Sequence, residues 1–343
     1  MASGGGRTPA NFATRQKARA PQGSVYKKPL EHQKEGTSTF SPSVNNRKSP
    51  PQSVAPVQQS ESAVSSCGSG SVGSDSQDPP FDICLGVNKC TIKLVRPLIE
   101  INREKRRERE LSKDVAPLQY LRPGMVLLKR FLKPNDQVKI VKLCQQLGLG
   151  EGGFYRPGYR DGAKLSLRMM CLGMNWDPDS CSYGHKRPFD NAQPPNIPEE
   201  LRKFVQDAIQ VSHEFLEQSM GVANAVEKLP SMSPDICLVN FYGTSGKLGL
   251  HQDKDETKAS LDKGLPVVSF SIGETAEFLY GDVRDVDKAS KIDLESGDVL
   301  IFGGKSRLIF HGVSNIKPKT APNWLTDEAG LRPGRLNLTF RQY

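Results

Sequence analysis

A histidine and an aspartate lie two positions apart in the segment 251–253. Because residues i and i+2 of an extended chain point to the same side, His251 and Asp253 could share one metal ion. A third ligand must come from elsewhere. His311 is the candidate, since a polar ring in the apolar segment 308–313 needs a reason. Two histidines and one carboxylate are the ligands of non-haem iron(II) oxygenases, although zinc hydrolysis uses the same ligand types.

The last segment of the chain, 335–341, alternates between polar and apolar residues. Its odd positions, which would share one face of a strand, are Arg335, Asn337, Thr339 and Arg341. Four polar groups cannot face a dry core without partners, but they could line a cavity that holds an anion. Since arginine forks match carboxylates, this face suits a small dicarboxylate, a ligand that zinc hydrolysis would leave unexplained.

A third segment, 236–242, would place an amide and a phenol on one strand face. Asn240 and Tyr242 have the same parity as Ile236 and Leu238, so all four side chains would point the same way. Taken alone, each polar residue is more often a hydrogen-bonded member of a core. Together with the arginine-rich segment, they are better explained as further donors to the anion pocket.

The elements that would position these residues belong mainly to a β domain. After Ser233, apolar residues recur with period 2 in short runs that Gly, Pro, Asp and Asn separate. Many short strands at such spacing favour a β-sandwich or barrel. Residues 198–219 instead carry one apolar stripe with helical spacing and are the clearest helix. We therefore expect a mainly β domain with flanking helices (α+β) over residues 118–343.

The first 85 residues have a different composition. Ser, Pro and Gly occupy 32 of these positions, and large apolar side chains are almost absent. Such a segment cannot bury enough surface to offset its backbone entropy, so residues 1–85 are predicted to form a disordered tail. The basic, acid-poor start could be an organelle transit peptide, although a solvated tail is the simpler interpretation.

Positive charge is concentrated between the tail and the β domain. Residues 86–114 carry nine basic and five acidic groups, whereas the 229 residues that follow carry 29 and 27. The region 86–117 is therefore assigned as a basic linker or helix. It could track phosphates or act as a localisation signal, and it could equally be an exposed helix with i,i+4 ion pairs.

The composition excludes several classes of protein. No window approaches the roughly 18 consecutive apolar residues that span a bilayer, and no short apolar core follows the N-terminus as in a secretory signal. The seven cysteines contain no C-x-x-C pair, which argues against a disulfide scaffold or a structural zinc module. We expect a monomer without membrane contact in a reducing intracellular compartment: nucleus or cytoplasm, with organelle import as an alternative.

Taken jointly, these segments resemble the AlkB family of Fe(II)- and 2-oxoglutarate-dependent nucleic-acid dioxygenases. The similar stretches are CLVNFY (237–242), KLGLHQDKDE (247–256), PVVSFSIG (266–273), GGKSRLIFHG (303–312) and RLNLTFRQ (335–342). The resemblance covers roughly residues 118–343 and does not extend to 1–117. It implies a double-stranded β-helix, or jelly roll, with helices on its outside.

The resemblance also implies the composition of an active site. His251, Asp253 and His311 would bind Fe(II), with 2-oxoglutarate and O2 as co-substrates. The residues implied to hold the two carboxylates of 2-oxoglutarate are Asn240, Tyr242, Arg335, Asn337 and Arg341. These are the same five residues that the strand faces had already selected.

Four further residues would contact substrate if the resemblance holds. Asp255 matches the family acid that faces the base, although a turn residue there could simply cap a backbone group. Trp176 and Tyr183, in a stretch like the family's nucleotide lid, match aromatic positions on which an extruded base could stack. A buried lid tryptophan is the alternative. Lys291 matches a basic position near the substrate and could equally be a plain surface lysine.

The implied reaction is oxidative removal of methyl or other alkyl groups from nucleobases in DNA or RNA, releasing formaldehyde and succinate. Two insertions, 179–195 and 317–333, depart from the bacterial pattern and leave strand preference and substrate size open. One alternative is a dioxygenase of the same type that hydroxylates a protein or a small metabolite. The other is a non-catalytic nucleic-acid-binding protein, which would have no need to keep a complete triad and arginine segment.

Overall fold

Strands dominate the computed structural model, which describes residues 81–85, 97–103, 106, 117–158 and 164–343. In these ranges the strands are β1 (Leu118–Arg122), β2 (Met125–Leu128), β3 (Leu167–Gly173), β4 (Asn175–Asp177), β5 (Ser182–Gly184), β6 (Ile236–Tyr242), β7 (Leu248–His251), β8 (Val267–Gly273), β9 (Thr275–Gly281), β10 (Ser290–Leu294), β11 (Val299–Phe302), β12 (Phe310–Lys317) and β13 (Arg335–Arg341). The α-helices within residues 117–343 are α1 (Pro134–Gly148), α2 (Glu199–Met220), α3 (Ala225–Lys228), α4 (Lys258–Asp262) and α5 (Asn323–Ala329).

The strands form two antiparallel sheets that pack face to face. The larger has the order β1-β2-β11-β8-β13-β6-β3, and the smaller has the order β10-β9-β12-β7. Apolar side chains from both sheets, among them Leu127 and Leu238 of the larger and Phe278 of the smaller, share one buried cluster. β4 and β5 pair separately as a hairpin. This arrangement confirms the predicted mainly β jelly roll with helices outside.

The larger sheet is buried on both faces. On its outer face Leu336, Leu338 and Phe340 of β13 join a second apolar cluster that includes Leu201 and Val205 of α2. The opposite parity of β13 therefore faces the smaller sheet. Helices cover one side of the sheet, and on the other side the polar residues of β13 are available for a site between the sheets.

The long helix α2 begins and ends within one residue of its predicted limits. Pro198 precedes its first turn. The carboxylates of Glu199 and Glu200 in that turn stabilise the helix by interacting with the positive end of its dipole. Gly221 follows its last turn with φ of 63°, a left-handed conformation that glycine adopts without steric cost. The predicted apolar stripe is the face that packs on the larger sheet.

Residues 81–85, predicted to lie in the tail, instead pack on the β domain. Ile83 is fully buried, and Cys84 pairs with Leu331 in an isolated bridge. The Leu85 amide donates to the Gly330 carbonyl at 2.7 Å. The prediction was wrong for this short segment because a composition average over 85 residues conceals the three large apolar side chains Phe81, Ile83 and Leu85. The rest of the predicted tail lies outside the described residues.

The basic region 86–117 is described only in part. Within it the structure describes residues 97–103, 106 and 117. Residues 98–103 and 106 are helical, as one interpretation of the sequence expected. Within the described part of the chain, no helix has both the length and the apolar character needed to cross a membrane.

Candidate active site

A cavity of about 490 Å³ opens between the two sheets. Eleven of the twelve predicted site residues line it: Trp176, Tyr183, Asn240, Tyr242, His251, Asp253, Asp255, His311, Arg335, Asn337 and Arg341. The twelfth, Lys291, does not. The fold thus collects residues from six separate places along the chain into one volume of the size usual for small-molecule sites.

Three potential metal ligands meet on one wall of the cavity. His251 ends β7, and His311 is its cross-strand partner on β12, with ring centroids 4.4 Å apart. Asp253 follows β7 by two residues, and its carboxylate oxygens lie 3.7 Å from His251 Nε2 and 3.6 Å from His311 Nε2. Ligand atoms of all three residues lie within 4.8 Å of one another. The cluster could therefore hold a single ion.

Backbone hydrogen bonds fix the tautomer of both histidines. Nδ1–H of His251 donates to the Gly249 carbonyl at 2.9 Å, and Nδ1–H of His311 donates to the Ile309 carbonyl at 3.2 Å. Both Nε2 lone pairs are thus left for a metal. Burial lowers the pKa of His311 to about 4, so its ring is neutral at pH 7, as metal binding requires.

Asp253 is buried but held in its ionised form. Arg341 forks its carboxylate, with Nη2 at 2.7 Å and Nε at 3.1 Å from the two oxygens. Burial opposes ionisation, but the charge of Arg341, with smaller effects from His311 and His251, outweighs it and holds the pKa of Asp253 below its usual range. A charged carboxylate beside two imidazole rings is a donor set that suits a divalent transition metal.

Arg335 gives the clearest indication that the cavity fits an anionic ligand. Its guanidinium is 1% exposed, and Nη2 donates to the Ser271 hydroxyl at 3.0 Å. Its Nε and Nη1 are buried without any hydrogen-bond partner among the described residues, as is the Asn240 amide oxygen in the same cavity. Burial lowers the pKa of Arg335 to about 10, which leaves it charged at pH 7. A buried, half-satisfied guanidinium fits a carboxylate that binds bidentately.

Two of the predicted carboxylate contacts are placed differently from Arg335. The Asn337 amide nitrogen is already occupied, because it donates to the Ser269 hydroxyl and the Phe270 carbonyl, both at 2.8 Å. Tyr242 lines the cavity, and burial raises its pKa to about 12, so its hydroxyl stays a donor at pH 7. Asn337 therefore shapes the pocket through its neighbours, whereas the Tyr242 hydroxyl remains protonated at the cavity wall.

A buried ionic network behind the metal cluster was not predicted. Glu256 accepts from Arg307 Nη2 at 2.8 Å and from the Tyr183 hydroxyl at 3.1 Å. The same hydroxyl accepts from Arg341 Nη1 at 2.9 Å, and Arg307 Nη1 donates to the Asp253 carbonyl. Glu256 and Arg307 lie in two of the stretches on which the resemblance rests, 247–256 and 303–312. One charged residue of opposite sign in each stretch was the signal from which an ion pair could have been predicted.

The β4–β5 hairpin covers the cavity from one side. Trp176 of β4 and Tyr183 of β5 are cross-strand partners. The Trp176 indole N–H donates to the Asp255 carboxylate at 2.9 Å. Both aromatic rings, and the acid predicted to face a base, are thus brought together at the cavity wall. Tyr183 is anchored through its hydroxyl, so its ring position is set by the network.

Lys291 lies away from the other predicted contacts. It is on β10, pairs with Leu279 of β9 across the smaller sheet, and forms an ion pair with Glu277 at 3.7 Å. Its side chain is more than half exposed. The structure therefore places it as a surface lysine outside the cavity, in line with the plainer of its two interpretations.

Comparisons with known proteins agree with this geometry. The sequence profile of the 2OG-Fe(II) oxygenase superfamily matches residues 124–341. The Arabidopsis thaliana DNA N(6)-methyladenine demethylase ALKBH1C is 53% identical over 290 residues, which is 84% of this chain and 62% of that protein. This chain therefore spans about three fifths of that relative.

Two further similarities involve proteins that are covered over almost their whole length. The Escherichia coli alpha-ketoglutarate-dependent dioxygenase AlkB is 43% identical over 237 residues, which is 68% of this chain and 97% of that protein. A solved structure titled "The structure of OsALKBH1" is 79% identical, covers 66% of this chain and all of its own, and superimposes with a TM-score of 0.63. The chain therefore belongs to the AlkB family of the 2OG-Fe(II) oxygenase superfamily.

Proposed function

We propose that this chain is an iron(II)- and 2-oxoglutarate-dependent dioxygenase that removes methyl groups from nucleobases in DNA or RNA, with release of formaldehyde and succinate. One observation carries the proposal: a two-histidine, one-carboxylate cluster shares a cavity with a buried, half-satisfied arginine. When bound, iron(II) with 2-oxoglutarate and O2 supplies the oxidising chemistry. The protein supplies binding, orientation and exclusion of water.

The metal would be held by His251, Asp253 and His311. The backbone hydrogen bonds of the two histidines leave each Nε2 for a metal, and the Arg341 fork holds the Asp253 carboxylate in its ionised form. Three protein ligands leave positions open for other molecules, which is the requirement of an oxygenase site.

The co-substrate would lie between the metal cluster and β13. Arg335 would bind one carboxylate through its Nε and Nη1 groups, and Asn240 and Tyr242 line the same part of the cavity. We assign Asn337 and Arg341 to the same pocket, with Arg341 acting mainly on Asp253. A guanidinium buried without a partner is costly, so a ligand carboxylate at this position would relieve that cost.

The modified base would lie against the β4–β5 hairpin. Trp176 offers an aromatic face, and Asp255, which accepts its indole N–H, offers a carboxylate that could also accept from a base amino group. Stacking on an aromatic ring compensates an extruded base for its lost neighbours. The Arabidopsis relative is called a DNA N(6)-methyladenine demethylase, so N6-methyladenine in DNA is the first substrate to test.

We also propose that the protein acts as a monomer in a reducing compartment, in the nucleus or cytoplasm or after organelle import. All five cysteines in the described part of the chain are free. Free buried thiols are typical of reducing compartments.

The test is a mass-spectrometric screen of DNA and RNA oligonucleotides that carry single modified bases, with iron(II) and 2-oxoglutarate. We expect methyl loss with one formaldehyde and one succinate per base repaired. His251→Ala should abolish turnover and the charge-transfer absorption that 2-oxoglutarate produces on the anaerobic iron protein. The matched control is His213→Gln, on α2 outside the cavity, which should retain both. Succinate release without methyl loss from any oligonucleotide would instead indicate a protein or metabolite substrate.

A further inference from the structure

The loop that follows β5 is built around a buried arginine. Arg187 Nε and Nη2 fork the Asp190 carboxylate at 2.9 and 2.6 Å, and Arg187 Nη1 donates to the Gly153 carbonyl at 2.9 Å. The loop also closes on itself, because the Arg187 amide donates to the Ala192 carbonyl and the Asn191 amide to the Arg187 carbonyl. A loop tied by these bonds holds a fixed shape.

This rigid loop presents one aromatic ring to solvent. Phe189 is 66% exposed. Its inner side is supported, since the Arg187 guanidinium lies 4.8 Å from its ring centroid and the Tyr155 ring lies 5.1 Å away. The ring therefore has a set position and an open surface, which is how an aromatic side chain gives contact area at little entropic cost.

The loop is adjacent to the cavity that would receive the modified base. It begins directly after Gly184, one residue beyond Tyr183 of the cavity wall. Tyr155, which supports Phe189, exchanges backbone hydrogen bonds with Met169, and Met169 also lines the cavity. A nucleic-acid strand that places one base in the cavity would carry a neighbouring base across this side of the opening.

The surroundings of Phe189 favour a nucleobase over a protein surface. Lys186 is exposed on the same loop, and the acid of the loop, Asp190, is already paired with Arg187. The neighbours of Phe189 in the loop are polar or proline, so this loop does not form, in the part of the chain that the structure describes, the broad apolar patch that a stable protein interface needs. A single planar ring beside cations is the arrangement that binds single-stranded nucleic acid.

We infer that Phe189 is a stacking platform for a base next to the target nucleotide, so that the enzyme recognises a strand and not an isolated nucleotide. The inference rests on the proposed function. It adds a contact outside the cavity, carried by the 179–195 insertion, that would set affinity for the strand. Arg187 and Asp190 act as positioning residues for the ring.

The test compares the wild type and four variants of the whole 343-residue chain, each loaded with Mn(II), for binding to a fluorescent single-stranded oligonucleotide of about 15 nucleotides. Phe189→Ala should weaken binding about 5- to 50-fold. Phe189→Trp should bind like the wild type, because any aromatic face can stack, whereas Phe189→Leu should behave like Phe189→Ala. Leucine preserves apolar packing on Tyr155 but has no π face, so the pair separates stacking from packing. Val226→Ala, at a site 49% exposed on α3, is the matched control and should bind normally.

Turnover by the same preparations distinguishes failure of this inference from failure of the proposed function. Phe189→Ala should raise KM for a modified oligonucleotide, and the increase should shrink when the substrate is cut to a modified mononucleotide. Equal binding and equal KM for wild type and Phe189→Ala, or full rescue by Phe189→Leu, would overturn the stacking platform alone. A wild-type protein that demethylates no oligonucleotide would overturn the proposed function itself.

Discussion

Arg335 and Arg341 lie on one strand face but have different partners. Arg341 is buried against Asp253, Glu256 and Tyr183, so its charge is compensated within the protein. Arg335 is equally buried, yet two of its nitrogen groups have no partner in the part of the chain that the structure describes. Strand parity predicted that both arginines would face the cavity. It did not predict that Arg341 would pair with Asp253, or that two nitrogen groups of Arg335 would be left to bind a ligand.

The two arginines should respond oppositely to substitution by methionine. Arg335→Met should raise the 2-oxoglutarate concentration needed for half-maximal turnover roughly 10- to 100-fold, because a charge-assisted carboxylate contact is lost. It should leave the unfolding free energy of the metal-free protein unchanged or higher, since an unsatisfied buried charge is removed. Arg341→Met should lower that free energy by about 3 kcal/mol, because Asp253 stays buried without its counter-ion.

Urea unfolding with chelator present, together with 2-oxoglutarate titration of turnover, measures both quantities. A loss of metal-free stability in Arg335→Met as large as that in Arg341→Met would mean that Arg335 is a structural residue, and the assignment of the co-substrate pocket would be wrong.

The described cysteines differ sharply in reactivity because burial controls thiolate formation. Burial raises the pKa of Cys84 and Cys171 to about 11 and that of Cys144 to about 12, and it raises the pKa of Cys237 well above its usual value. A raised pKa means that almost no thiolate is present at pH 8. Cys181, by contrast, is exposed at the rim of the cavity.

Iodoacetamide at pH 8 should therefore modify Cys181 and spare the four buried cysteines of the folded domain. Peptide mass spectrometry after a short exposure gives the extent of reaction at each position, and the same reaction in urea serves as the control in which all of them react. Rapid modification of Cys144 in the native protein would contradict the packing of α1 against the larger sheet.

At the scale of elements, the segment 81–85 acts as an additional strap on the domain. The Phe81 ring lies 5.8 Å from that of Phe241 on β6, and the Arg168 guanidinium of β3 lies 4.7 Å from its centroid. Arg332, three residues before Arg335, donates from Nε to the Asp82 carbonyl at 2.7 Å. The strap thus braces the two strands that carry the candidate carboxylate pocket, β6 and β13, from behind.

Ile83→Ala should lower the unfolding free energy by about 3 kcal/mol, since it removes a fully buried side chain and leaves a cavity. Leu85→Ala, two residues away and 47% exposed, is the matched control and should cost less than about 1 kcal/mol. Urea unfolding of the two variants and the wild type measures the difference. Equal, small effects would show that the strap does not contribute to the folded domain.

Glycine at one position allows β13 to approach β6 closely. Gly334 precedes Arg335 and has φ of 145°, and a Cβ there would lie 2.2 Å from the Tyr242 carbonyl oxygen. No other residue type fits without moving one of the two strands. This contact sets Arg335 directly opposite Tyr242 in the β13–β6 register. The register in turn decides which polar groups share the pocket.

For the molecule as a whole, most of the net positive charge lies before the β domain. Residues 115–343 carry 29 basic and 27 acidic groups, so most of the net charge of +9 belongs to the residues before them. The β domain nevertheless has cations at its cavity. Arg284 and Lys254 line the cavity and are exposed, and neither forms a hydrogen bond or ion pair with the described residues. They are suited to contact phosphates that flank a bound nucleotide.

Arg284→Ala should weaken oligonucleotide binding and reduce the slope of log K against log salt concentration by about one unit, because one phosphate contact and its counter-ion are lost. Lys288→Ala is the matched control in the same loop, since Lys288 is exposed and already paired with Asp285 at 3.1 Å. Fluorescence anisotropy over a range of salt concentrations gives both slopes. An unchanged slope in Arg284→Ala would remove this arginine from the nucleic-acid interface.

The sequence by itself determined those features that depend on local periodicity. The polar face of 335–341, the inward Asn240 and Tyr242, the limits of α2 and the β class all follow from side-chain alternation or helical spacing, which nearest neighbours along the chain impose. The His251 and Asp253 pair was equally local, at a spacing of two residues.

Only the tertiary structure decided which distant residues meet. Register between β7 and β12 brings His311 to His251 across 60 positions, and hairpin docking joins Tyr183 to Arg341 and Glu256. The same packing leaves Lys291 outside the cavity and draws 81–85 onto the domain. These outcomes depend on sheet order and on long-range burial, and no local pattern encodes them, because each contact is stabilised by side chains far away in the chain.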